Sequence, residues 1–344
     1  MESSPPANTP AEHIGVARRS RLLSTIAKTA LGLALLAGLF IWGQIDLRSL
    51  AQLADNPTAV AGCLALLLVT LPLAAIRWGV LLRVLGVSIS FVNLLHFVGI
   101  GVLTTTVLFG TMGGDAVRGL YAWRAVGGTG DRVAVSVLAD RVVSLLALLF
   151  LCLIFSVFKW HRIQQAPALV ALSGSMVLAV VACVVAVGTL FAAPRLVLSF
   201  EIFLSRWPTI AAAFRRSREM ILAFRTNPVA LLSAFVLAVT IQVLVVFAMA
   251  LLTDALKVGT LDMADLMLAV PLTLAVNALP LTPGGIGIGE AAFDQICHWL
   301  EPVPTGAAYS SIFFAYRIIL SLTCIPGLVS LVIYRNAARS ESGG

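Results

Sequence analysis

Two arginines, Arg141 and Arg317, each stand about ten residues inside a long apolar run. A charge at that depth in a bilayer costs about 2.5–3.5 kcal/mol on insertion scales, so each needs a partner or a wet cavity. Guanidinium presents a planar donor fork that matches phosphate oxygens, so one reading is a pair of cations that bind a lipid phosphate. The plainer reading pairs each arginine with an acid: Arg141 with Asp140 or Asp115, and Arg317 with Glu290. Both hold at once if a lipid phosphate competes for the same arginine. Asp115 and Glu290 each follow glycines and open an expected helix, where capping and dipole compensation explain either one alone. Arg118, one turn after Asp115, pairs with it or faces a headgroup. Asn277 and Thr282 stand in an apolar stretch, where they line a site or satisfy freed backbone groups.

These residues need a membrane scaffold around them. Of 344 residues 60% are hydrophobic and 11% charged, and mean hydropathy is +1.01. Soluble domains carry about 25% charged residues, so a water-facing surface is excluded. The net charge of +7 sits between apolar segments, where it reports membrane orientation and does not point to nucleic acid. Five cysteines without ligand spacing and four scattered histidines suggest no metal site and no disulfide framework. No Ser-His-Asp arrangement is evident, and no cofactor is expected.

A spanning helix needs about 20 apolar residues, which places full spans near 25–43, 58–83, 133–158, 168–192, 228–252 and 306–334. A secretory leader is the alternative for the first, but no small-residue cleavage site follows it. Two other apolar stretches, 90–110 and 264–281, run into glycine-rich motifs that each carry an acid. The first holds Gly113, Gly114 and Asp115; the second holds Pro283, Gly284, Gly285, Gly287, Gly289 and Glu290. Non-helical backbone at membrane depth must be buried in protein or line a cavity, so both stretches are expected to be re-entrant hairpins. The Gly285–Gly289 string follows no strand, which excludes a nucleotide loop. With six crossings and two hairpins both termini are cytoplasmic. Setting aside Arg141 and Arg317, 17 of the other 21 basic residues then fall inside, with Arg48, Lys159, Arg162 and Lys257 outside. Residues 199–226 read either as an interfacial basic helix or as a solvated linker. The tails 1–24 and 336–344 are expected to be cytoplasmic, the first one disordered.

The chain also repeats itself. Asn56-Pro57 recurs as Asn227-Pro228, 171 residues on; Asp115 recurs as Glu290 at 175, and Arg141 as Arg317 at 176. Three crossings separate the two starts, so copies at about 56–158 and 227–334 are oppositely oriented, an arrangement many secondary transporters share. The fold class expected is an all-α polytopic membrane protein with two re-entrant hairpins in an inverted repeat, the hairpin tips meeting near the centre. The equivalence of the two acids adds a role in shaping that cavity or exchanging a proton.

Gly-Gly-Asp-x-x-Arg at 113–118, Ser-Val-Leu-Ala-Asp-Arg at 136–141 and Pro-Gly-Gly-Ile-Gly-Ile-Gly-Glu at 283–290 resemble the lysylphosphatidylglycerol synthase transmembrane-region family of flippase-like proteins. The resemblance covers roughly 25–335 by the same span reading. In two-domain members it implies that the membrane part moves an aminoacylated phospholipid between leaflets and that a soluble domain makes it. A chain ending at Gly344 leaves no room for that domain and resembles stand-alone members. The function expected is a non-enzymatic flippase of the cell membrane for a phospholipid or glycolipid headgroup, aminoacylated phosphatidylglycerol being the one the resemblance implies. The alternatives are a lipid-binding scaffold for a separate synthase or glycosyltransferase, and an intramembrane transferase using Asp115 or Glu290 as base. Expected partners are the lipid, that separate enzyme in the scaffold case and a second copy in a homo-oligomer.

Overall fold

A computed structural model describes residues 47–105, 110–127, 130–192, 205–207, 214, 222–278, 282, 285–301 and 307–329. The expected span 25–43, both tails and most of the basic segment 199–226 lie outside these residues. All elements among the described residues are helical. They are α1 (Leu47–Asp55), α2 (Pro57–Val84), α3 (Phe91–Thr104), α4 (Gly110–Val126), α5 (Gly130–Phe158), α6 (Trp160–Ile163), α7 (Pro167–Ala192), α8 (Pro228–Leu256), α9 (Met263–Asn277), α10 (Ile288–Leu300) and α11 (Ser310–Leu322). Among the described residues four helices are long and apolar enough to cross a membrane: Pro57–Val84, Gly130–Phe158, Pro228–Leu256 and Ser310–Val329. The 28 residues of α2 reach about 42 Å, beyond the roughly 30 Å of a hydrocarbon core. Shorter apolar helices cover Phe91–Thr104, Pro167–Ala179 and Met263–Asn277. The chain is a multi-pass membrane protein.

The two Asn-Pro starts fold alike. Pro57 and Pro228 stand in the first turn, where a missing N–H and a fixed φ suit the helix. The asparagines before them share a backbone conformation, φ −122° and ψ 59° at Asn56 against φ −129° and ψ 59° at Asn227. Each side-chain amide donates to the carbonyl four residues back, Gln52 O at 3.1 Å and Ala223 O at 3.2 Å. The helices they begin lie side by side and antiparallel. Asn56 Nδ2 reaches Ala255 O, Gly62 meets Leu251, and Leu81 clusters with Ala234 and Ala238.

α2 and α8 each carry a helical hairpin on the C-terminal half. Leu71, Ala75, Trp78 and Leu82 of α2 pack with Leu94, Phe97 and Ala122 of α3 and α4. Val245, Val246, Met249 and Leu252 of α8 pack with Leu266, Leu268 and Phe293 of α9 and α10. In the first hairpin the arms run antiparallel, with Phe97 facing Tyr121 at 6.3 Å and Gly101 facing Gly114.

Here the structure corrects the expected loop. Gly113, Gly114 and Asp115 lie inside α4, which begins at Gly110, so their glycines serve close packing and not irregular backbone. A Cβ on Gly114 would overlap Thr105 Oγ1 and the Gly101 carbonyl, one of them backbone that cannot turn aside. Gly114→Val is therefore expected to cost about 1–3 kcal/mol. Gly119→Ala, whose Cβ would meet only Val137 at 3.4 Å, is expected to melt like the parent in detergent. Equal losses in the two variants would contradict the close approach.

Candidate functional site

The C-terminal half of α2, the second arm of the first hairpin and the middle of α5 meet in a chain of charges. Asp140 is 2% exposed and takes two cations: Arg77 Nε at 2.8 Å with Nη2 at 3.2 Å, and Arg118 Nη2 at 2.8 Å. Arg118 lies over the Trp78 ring at 4.9 Å, and the Trp78 indole N–H donates to Ser136 Oγ at 3.0 Å. On its other side Arg118 Nε pairs with Asp115 at 3.0 Å, and Asp115 also pairs with Arg141. Three guanidiniums against two carboxylates give these five residues a sum of +1. The Arg141 side chain is 45% exposed where those of Arg77 and Arg118 are 8% exposed, so Arg141 is the most open of the three guanidiniums.

Beside that pair lies a cavity of ≈ 340 Å³ between α4 and α5. Its wall is Ala116, Leu120, Trp123, Val133 and Val137, with Asp115 as its charged residue. Arg141 stands one helical turn beyond Val137, on the same face of α5. The cavity thus runs from the first turns of α5 toward an ion pair about 16 Å along that helix. Apolar walls with few polar groups at one end suit an amphiphile.

The pair at the matching sequence offsets lies on α10 and α11. Arg317 Nε donates to Glu290 Oε1 at 2.6 Å and Nη2 to Oε2 at 3.3 Å. Glu290 is fully buried and also accepts the Gly287 N–H at 2.9 Å, a capping contact that Asp115, further into its helix, does not make. Arg317 Nη2 donates to Gly285 O at 3.0 Å and its guanidinium lies over Phe313 at 5.5 Å. Gly285 and Gly287 have φ of 69° and 79°, which only glycine adopts without strain. Asn277 presses on Gly285 and Gly289, its Oδ1 without a hydrogen-bond partner among the described residues, and Thr282 Oγ1 donates to Ile286 O at 3.0 Å. Pro283 and Gly284 lie outside the described residues.

Each acid thus pairs with the arginine of the helix that follows it, as the plainer sequence reading has it, and Arg141 takes Asp115 while Asp140 turns to Arg77 and Arg118. Asp115, Arg118, Asp140 and Arg141 come together in one cluster; Glu290, Arg317, Asn277 and Thr282 are held by α9–α11 and the turn before α10. Arg77 is the residue sequence reasoning missed. Counted there among cytoplasmic charges, it is buried, and the signal was its place well inside an apolar run with Trp78 beside it.

A further polar cluster joins the junction of α5 and α6 to α9 and α10. Lys159 Nζ bonds both Asp262 oxygens at 2.8 and 2.7 Å and Asp265 at 2.9 Å; Arg162 bonds Asp265 at 3.1 Å and Leu300 O at 2.8 Å. Burial works against the Asp262 charge, yet the Lys159 ammonium and the Asp265 N–H hold its carboxyl below the usual range. Among the described residues no group of three or more His, Cys, Asp and Glu could hold a metal ion.

Among known proteins, the family model described as lysylphosphatidylglycerol synthase TM region matches residues 29–327. No curated protein and no solved structure matches the chain.

Proposed function

Since the chain belongs to the lysylphosphatidylglycerol synthase transmembrane-region family, we propose that it is a non-enzymatic flippase that carries an anionic phospholipid or glycolipid headgroup between leaflets. The observation that carries this reading is the Asp115–Arg141 pair at the end of an apolar cavity. A lipid phosphate entering beside Arg141 competes with Asp115 for the guanidinium. Asp115 keeps Arg118 as its partner when it yields, so no carboxylate is stranded. The lipid tail lies along Leu120, Val133 and Val137. Arg317, paired with Glu290 in the equivalent place, receives the phosphate on the other side.

The antiparallel pairing of α2 and α8, each with a hairpin on its C-terminal half, supports an inverted repeat. In that arrangement α3–α4 and α9–α10 are re-entrant from opposite faces, both termini are cytoplasmic in the cell membrane, and exchange proceeds by rocking one copy against the other.

The test is to purify the chain from its own membranes and identify the lipid that comes with it by mass spectrometry. One enriched anionic class, lost on replacing Arg141 and Arg317 together, is the expected result. A mixture matching the bulk membrane would leave both arginines as structural pairs and contradict the headgroup site.

A further inference from the structure

Away from the arginine clusters, one histidine is set between two buried carboxylates. His298 Nε2 lies 3.5 Å from Asp294 Oδ2, and Nδ1 lies 3.4 Å from Glu301 Oε2. The Asp294 and Glu301 side chains are 5% and 1% exposed, whereas that of His298 is 32% exposed. Both acids also hold the start of α11. Asp294 Oδ1 accepts the Ser310 N–H at 2.9 Å, and Glu301 Oε1 accepts the Tyr309 hydroxyl at 2.8 Å, with the Tyr309 ring edge-on to His298 at 5.3 Å. From neighbouring elements the charged groups facing this cluster are Asp265 of α9 and its partners Lys159 and Arg162.

We propose that Asp294, His298 and Glu301 bind a transported or regulatory proton, and that its presence fixes the start of the helix that carries Arg317. Neutral imidazole has one N–H and satisfies one of two carboxylates; imidazolium donates from both nitrogens and satisfies both. The proton comes from water at the exposed ring edge, adds to the ring nitrogen lone pair and returns to water on release. With the proton on, Asp294 and Glu301 are both held and so are Ser310 and Tyr309. With it off, one carboxylate loses its imidazole donor and keeps only its contact to α11, so it is held less firmly and the first turn of α11 loosens with it, seven residues ahead of Arg317. The site rests on the translocation reading only for its purpose, which is to drive or gate headgroup exchange at Arg317 by pH.

The experiment is amide hydrogen exchange of the peptide over 307–313, on the full chain in nanodiscs at pH 5.5 and 7.5, corrected for intrinsic rates. Protection is expected to be about tenfold greater at pH 5.5, the loss of roughly one charge-assisted hydrogen bond. His298→Gln is expected to show no pH dependence there, and Glu301→Gln, which leaves one carboxylate for a neutral ring, is expected to behave likewise. A parent chain with no pH dependence, or a His298→Gln chain that keeps it, overturns the proton site. Because exchange is read without transport, failure of lipid movement leaves this result standing, and failure here leaves the headgroup path standing.

Discussion

Vesicles carrying the Arg141→Ala, Arg317→Ala chain are expected to move a fluorescent phosphatidylglycerol about 100-fold more slowly than vesicles carrying the parent. In the proposed exchange each arginine would supply charge-assisted hydrogen bonds, worth about 1.5–3 kcal/mol apiece, to a phosphate that has left water. Arg141→Ala leaves Asp115 with Arg118, so the first hairpin keeps an ion pair and the protein folds. Arg317→Ala removes the Glu290 partner, but Glu290 retains the Gly287 N–H. Lysine at both places keeps the charge and loses the planar fork, so about a tenfold loss is expected. Rates in the alanine chain equal to the parent, at equal reconstitution, would show that the two guanidiniums serve structure alone.

The largest stability effect is expected one residue away. Asp140→Ala leaves Arg77 and Arg118 buried around an empty place, and breaking such a group by removing one partner costs about 3–5 kcal/mol. In detergent this chain should lose its cooperative melt or unfold well below the parent. Replacing Arg77, Asp140 and Arg118 together by apolar side chains of similar volume should recover most of that loss, since no charge is then stranded. A stable Asp140→Ala chain would mean that water reaches Arg77 and that the cluster is not a dry one.

Apolar runs and Asn-Pro starts made much of the helical frame legible. A proline in the first turn fixes where α2 and α8 begin, and the structure places the first start one residue before the expected 58 and the second at the expected 228. The acids for Arg141 and Arg317 were legible because the repeat offsets matched. Arg77 was not, because its partner Asp140 is 63 residues away and Arg83 nearby made it look like an ordinary interfacial charge. Glycines misled at 113–114, where they mark close packing of two helices, and served well at Gly285 and Gly287, where positive φ breaks the helix. His298 was set aside for want of a metal pattern. Asp294, His298 and Glu301 stand at i, i+4 and i+7, one helical face, which was the signal present.

The central claim is that this chain alone moves lipid across a bilayer. The direct test is the purified parent chain in vesicles of phosphatidylethanolamine and phosphatidylglycerol, with back-extraction of a fluorescent phosphatidylglycerol to albumin over time. Movement well above protein-free vesicles, lost in the double arginine variant, is the predicted result. A rate equal to that of protein-free vesicles, from protein that still carries its native lipid, would contradict translocation and favour a lipid-presenting subunit.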